Sequence, residues 1–208
     1  MEYKYRHVIG FRRRADSRIS IIKQILPLEY QMSDFVLFNC IYFGSDNMLR
    51  TRYRDEYDRG VSIQQEKVVI LGERLLGQGI SRYVFESIKN EGEDILDLLG
   101  QVRETSRKMN AFGTRSHFIR QFVNKLESKD QLDVGLRFNS QVPIKIESSV
   151  RHKVVPALVG FVRLEQGPEK CDEFIQEFVI QGRQSRKKEY EHKGFSELYK
   201  EKLAMVYS

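Results

Sequence analysis

The chain has 208 residues, long enough to bury a sizeable core with no disulfide or metal staple. Hydrophobic residues make up 40%, charged residues 31%, and there are only 4 prolines, which excludes a disordered chain. Lys and Arg number 35 against 29 Asp and Glu, and the net charge of +6 favours an anionic partner over a cationic one.

Met1 to His7 has no long apolar run behind it, so neither a signal peptide nor a membrane anchor is expected there. The longest apolar-rich stretch, Phe35 to Phe43, is broken by Asn39 and is too short to span a bilayer. Cytoplasm or nucleus is the expected location, with no membrane partner. Cys40 and Cys171 are the only cysteines, and both sit among apolar neighbours. They are expected to be free thiols packed as small hydrophobes in a reducing compartment.

Glu2 to Gly10 alternates with period two, which predicts a strand with Glu2, Lys4 and Arg6 on one face. Arg12, Arg13 and Arg14 then read as a basic turn. Asp16 or Ser17 can cap a helix through Ile19, Ile22 and Leu26 that ends at Pro27. The β-branched and aromatic content of Phe35 to Phe43 predicts a buried strand.

Gly44 to Asn47 is a predicted turn, and Met48 to Asp55 a strand with Arg50, Arg52 and Arg54 on one face. Asp58-Arg59-Gly60 turns the chain into a strand over Val61 to Leu71, which carries Glu66 and Lys67. The glycines at 72, 77 and 79 punctuate the pattern before a strand over Ile80 to Glu86, with Arg82 and Glu86 on one face.

Glu91 to Arg107 predicts a helix with early acids. His117 to Glu127 fits either a helix or a strand and is assigned as a strand, turning at Ser128-Lys129-Asp130 into Leu132 to Asn139. Val142 to Glu147 and Leu158 to Glu165 read as further strands, and Gly167-Pro168 opens a helix. Arg183 to Lys193 is a basic connector, followed by an amphipathic helix over Phe195 to Tyr207.

Together these elements predict an α+β fold. It would be a mainly antiparallel curved sheet or barrel with flanking helices and a C-terminal helical extension. The barrel-like domain would occupy 1–182, and the connector with its helix 183–208.

Cations on strands are the most prominent chemical pattern. Lys4, Arg6, Arg50, Arg52, Arg54, Lys67 and Arg82 would project from neighbouring strands of one sheet. Turned inward they would require an anion to offset desolvation, and phosphate suits both guanidinium and ammonium groups. Turned outward, the same residues are an ordinary solvated face. Tyr3, Tyr5, Tyr53 and Tyr83 interleave with these cations, a combination that also fits stacking and phosphate contact with RNA.

The order Glu2-Tyr3-Lys4-Tyr5, Arg50-Thr51-Arg52-Tyr53-Arg54, Glu66-Lys67 and Arg82-Tyr83-Val84-Phe85-Glu86 resembles the triphosphate tunnel (CYTH-like) enzymes, which include RNA triphosphatases. The resemblance covers mainly residues 1–90. It implies a barrel whose Arg50, Arg52 and Lys67 clamp a triphosphate or RNA 5′-triphosphate end. Glu2 and Glu86 would then be the catalytic acids and ligands of Mg²⁺ or Mn²⁺, with hydrolysis by metal-held water.

The chain departs from that family's pattern at Lys4, where a second first-strand acid is normal. It departs again in the late strands, where only Glu147 and Glu165 appear. A hard cation needs several oxygen ligands, so the resemblance also implies a non-catalytic alternative like the barrel subunit of the Mediator head. That alternative would act through protein contacts, with the 195–207 helix as a docking element.

Other motif classes are empty. His7, His117, His152 and His192 lack metal-ligand spacing, and Gly72 to Gly79 lacks the ending of a phosphate loop.

Overall fold

The computed structural model describes residues 9–44, 48–54, 60–89, 100, 123–124, 126, 136–139, 142–146, 148–183, 192–197 and 200. Most of these are helical, and the predicted barrel is not what they build. Helix α1 (Ile9–Ile25) leads through a 3₁₀ turn (Leu28–Tyr30) to α2 (Asp34–Ile41), which runs into β1 (Tyr42–Gly44). Strands β2 (Met48–Arg54) and β3 (Gly60–Gln64) follow, and β3 passes directly into the long helix α3 (Gln65–Lys89).

Later in the chain come β4 (Leu136–Asn139), β5 (Val142–Ile146), α4 (Ser148–Arg151) and α5 (Val154–Gln166). The helix α6 (Pro168–Phe174) continues as a π turn (Ile175–Ile180). A short pair, β6 (Gly182–Arg183) and β7 (His192–Lys193), follows. The strands fall into three separate pieces. One is a three-stranded sheet in the order β1-β4-β5, with β1 parallel to β4; the others are the antiparallel ribbons β2–β3 and β6–β7. Among the described residues these pieces do not join, so no closed sheet and no tunnel forms.

Helix α5 is the centre of the fold. Every residue from Val154 to Val162 is buried, so the helix is apolar all round. That continuous apolarity is what makes Leu158 to Glu165 look like a buried strand in sequence. Pro156 in the first turn, where no intrahelical N–H is required, is compatible with a helix start.

Helix α3 packs along α5 and corrects the predicted strand Ile80 to Glu86 and the part of Val61 to Leu71 from Gln65 on, the residues before it being β3 as predicted. Val68, Gly72, Leu76, Ile80 and Val84 are all buried and recur every four residues, one continuous helical stripe. The predicted Gly-bearing interruption lies inside this stripe. Gly72 and Gly160 are the close-approach points. A Cβ on Gly72 would meet the Pro156 carbonyl oxygen at 1.8 Å, and one on Gly160 would meet the Val68 oxygen at 2.2 Å.

The predicted strand Phe35 to Phe43 is α2 followed by β1. Ser33 caps the helix, its hydroxyl accepting from the Val36 N–H at 3.4 Å, and Val36, Leu37, Cys40 and Ile41 form the buried face. Residues 123, 124 and 126 are helical rather than extended, with Val123 and Leu126 buried. At the N-terminus Ile9 and Gly10 already belong to α1, which also takes in Arg12 to Arg14, predicted as a turn. The rest of the predicted first strand lies outside the described residues.

Other readings hold. β2 lies within the predicted 48–55 strand, β4 and β5 within theirs, and Gly167-Pro168 opens α6. Gly167 makes the turn between α5 and α6 at φ 93°, ψ −179°, a conformation open essentially to glycine alone. Most of the predicted helix 91–107 lies outside the described residues.

Candidate functional site

Of the predicted cations, Lys67 and Arg82 are far apart on one helix. Glu2, Lys4 and Arg6 lie outside the described residues. Arg50, Arg52 and Arg54 stand at alternate positions of β2, whose pairing with β3 shifts register between Arg50 and Arg54. Lys67 is exposed in the first turn of α3. Arg82 lies fifteen residues further along that helix, about 22 Å away at the helical rise. Lys67 and Arg82 therefore cannot clamp one phosphate chain as neighbouring strands of a tunnel would have allowed.

Arg82 and Glu86, one helical turn apart, do share a site. They line a groove of about 440 Å³ between α3 and the α6–π segment. Gly79 lets the walls approach, because a Cβ there would lie 2.5 Å from Cγ2 of Ile175. The opposite wall presents Asp172, Glu173 and Glu177, with Gln176 and Gln181. Gln181 closes the π turn, its N–H donating to the Gln176 carbonyl at 2.9 Å.

Charge in the groove is mostly negative and mostly paired. Arg82 faces Asp172 at 3.9 Å with both side chains more than half exposed, a weak surface pair. Lys170 pairs with Glu173. Glu177 accepts a hydrogen bond from the Tyr30 hydroxyl at 3.1 Å. Burial, first, and then the Glu177 hydrogen bond and charge push ionisation of Tyr30 well above the ordinary tyrosine range. The Tyr30 ring is fixed edge-on against Phe174 at 4.9 Å, with the Lys170 ammonium 5.9 Å from its centre.

Glu86 was a predicted site residue, but the acids of the opposite wall were not. Their signal was the helical pattern after Pro168, in which Asp172, Glu173 and Glu177 fall between the buried positions Cys171, Phe174 and Phe178. Four carboxylates against the single guanidinium of Arg82 make the groove a poor place for a phosphate.

Of the two acids that the tunnel-enzyme resemblance implies for Mg²⁺ or Mn²⁺, Glu2 lies outside the described residues and Glu86 lines the groove. Among the described residues no three His, Cys, Asp or Glu side chains converge to hold an ion, and Glu86 alone offers one carboxylate. No helix among them is long and apolar enough to cross a membrane. The predicted docking helix begins inside the fold: Phe195 is fully buried, edge-on to Tyr83 at 5.9 Å.

Compared with family models, curated proteins and solved structures, the chain matches none.

Proposed function

We propose that this protein binds a polyanion, a phosphate-bearing RNA strand, at Arg50, Arg52 and Arg54. The observation that supports this reading is the placement of three arginines at alternate positions of a real strand, in a ribbon separate from the three-stranded sheet. Arg50 to Arg54 spans about 13 Å of extended backbone, room for several successive phosphates. β2 packs on the central helix α5, so the arginine positions are carried by a rigid element. The chain's net charge of +6 supports electrostatic attraction to such a ligand.

The experiment is fluorescence anisotropy with labelled single-stranded RNA over a range of salt. Arg50→Gln/Arg52→Gln/Arg54→Gln should weaken binding and lower the log–log salt slope by about 2, three phosphate contacts at roughly 0.7 each. An unchanged slope would overturn the reading. Release of γ-phosphate from 5′-triphosphate RNA in Mg²⁺ or Mn²⁺ decides separately whether binding is accompanied by turnover.

A further inference from the structure

The chain leaves the body along β1, whose first residue is Tyr42, and returns from the β2–β3 ribbon at Gln65. Gln65 is the first residue of α3 and directly follows the last ribbon pair, Met48 with Gln64. Its side chain bridges the two ends. The amide nitrogen donates to the main-chain oxygens of Asn39 at 2.5 Å and Tyr42 at 2.8 Å. An amide nitrogen has two hydrogens, one for each carbonyl. Asn39 lies in the last turn of α2, where helix carbonyls lack partners of their own, so the same amide caps that helix.

Tyr42 is held from its other end as well. Its hydroxyl accepts from Nη1 of Arg18 in α1 at 2.8 Å, and its ring centre is 4.7 Å from that of Phe38. Arg18, Asn39 and Gln65 are the polar or charged side chains buried among the described residues, and all of them stand at the ribbon's base. Hydrogen bonds shielded from water are electrostatically stronger than the same bonds at a surface. Tying the exit of the chain to its return therefore restricts how the ribbon can be oriented on α2 and α3.

We propose that Gln65 is a positioning residue for RNA binding at β2, an inference that rests on the RNA reading given above. By closing the base of the ribbon it places β2 before a ligand arrives. Without it the strand must be ordered on binding, which lowers affinity and removes no phosphate contact.

Two measurements on the full chain test this. In hydrogen exchange, amides of Met48–Arg54 and Gly60–Gln64 should exchange about tenfold faster in Gln65→Ala than in wild type. Phe178→Leu, a core substitution in the π turn, should lower global stability and leave exchange in the ribbon unchanged. In RNA anisotropy, Gln65→Ala should weaken affinity about tenfold at the wild-type salt slope, whereas Arg50→Gln/Arg52→Gln/Arg54→Gln lowers the slope.

Ribbon amides that exchange alike in wild type and Gln65→Ala would overturn the proposal, as would equal acceleration in Phe178→Leu. So would faster exchange with undiminished RNA affinity, or an affinity loss accompanied by a lower slope. If the triple arginine variant binds RNA as wild type does, the RNA reading fails and the positioning role falls with it. The exchange difference would then still report the closed base, which separates the two failures.

Discussion

Gly72 of α3 and Pro156 of α5 meet backbone to backbone, with only 1.8 Å between the Pro156 carbonyl oxygen and the place a Cβ on Gly72 would take. A carbonyl cannot rotate aside as a side chain can, so the helices must separate to admit one methyl group. Gly72→Ala should therefore destabilise the fold by about 3 kcal/mol, the upper range for overpacking, despite alanine's better helix propensity. Gly160→Ala should behave alike, since its Cβ would meet the Val68 oxygen at 2.2 Å. Urea unfolding measures both; a stabilised Gly72→Ala would mean the helices do not cross at this point.

Gln65 ties three elements together at the start of α3. Its side chain is buried, and its amide donates to the main-chain oxygens of Asn39 at 2.5 Å and Tyr42 at 2.8 Å. Gln65→Ala would leave two buried carbonyls without that donor, at a cost of about 3 kcal/mol. Gln65→Glu should be worse at neutral pH and recover partly in acid, where a protonated carboxyl regains one donor. Denaturant midpoints at pH 7 and pH 4.5 distinguish the two variants.

Tyr30 gives the fold an alkaline limit. Its ionisation is raised in the folded state by burial and by Glu177, so the unfolded chain loses that proton first as pH rises. The contribution is fully present below the ordinary tyrosine value near 10 and is lost progressively above it. Tyr30→Phe should be less stable than wild type by about 1 kcal/mol at pH 7, through the lost hydrogen bond to Glu177. Between pH 9 and pH 11 wild type should lose more stability than the variant. Equal losses would show that Tyr30 titrates normally.

Cys40 and Cys171 are both buried and unpaired with each other. Burial, with a smaller contribution from the Asp172 charge, pushes the Cys171 thiol up to about 11; burial alone raises Cys40 well above its ordinary range. The Cys171 thiol also donates to the Val159 carbonyl at 3.7 Å. Since the thiolate is the reactive form, neither should react with a disulfide reagent at pH 7.5 in native protein, and both should react in urea. Rapid labelling of the folded chain would place at least one of them at the surface.

What could be read from sequence alone was local. The strand over 48–54, the later strands at 136–139 and 142–146, the helix start at Pro168 and the end of α1 before Pro27 all follow from turn chemistry and short-range pattern. The buried free cysteines follow from their apolar neighbours and their isolation. The basic excess follows from composition, and the arginines of β2 from period-two spacing.

Tertiary structure decided the class of fold. Val154 to Val162 and the stretch from Val68 to Val84 are rich in β-branched residues, and an apolar run has the same composition in a buried helix as in a buried strand. Only the packing of α3 on α5 makes Gly72 and Gly160 contact residues rather than turn signals. The same outcome took Lys67 away from Arg82 and gave Arg82 to a groove of acids. It also put Arg137 in register with Lys145, because cross-strand register depends on which strands find each other, and that choice is made by long-range burial rather than by any local run of residues.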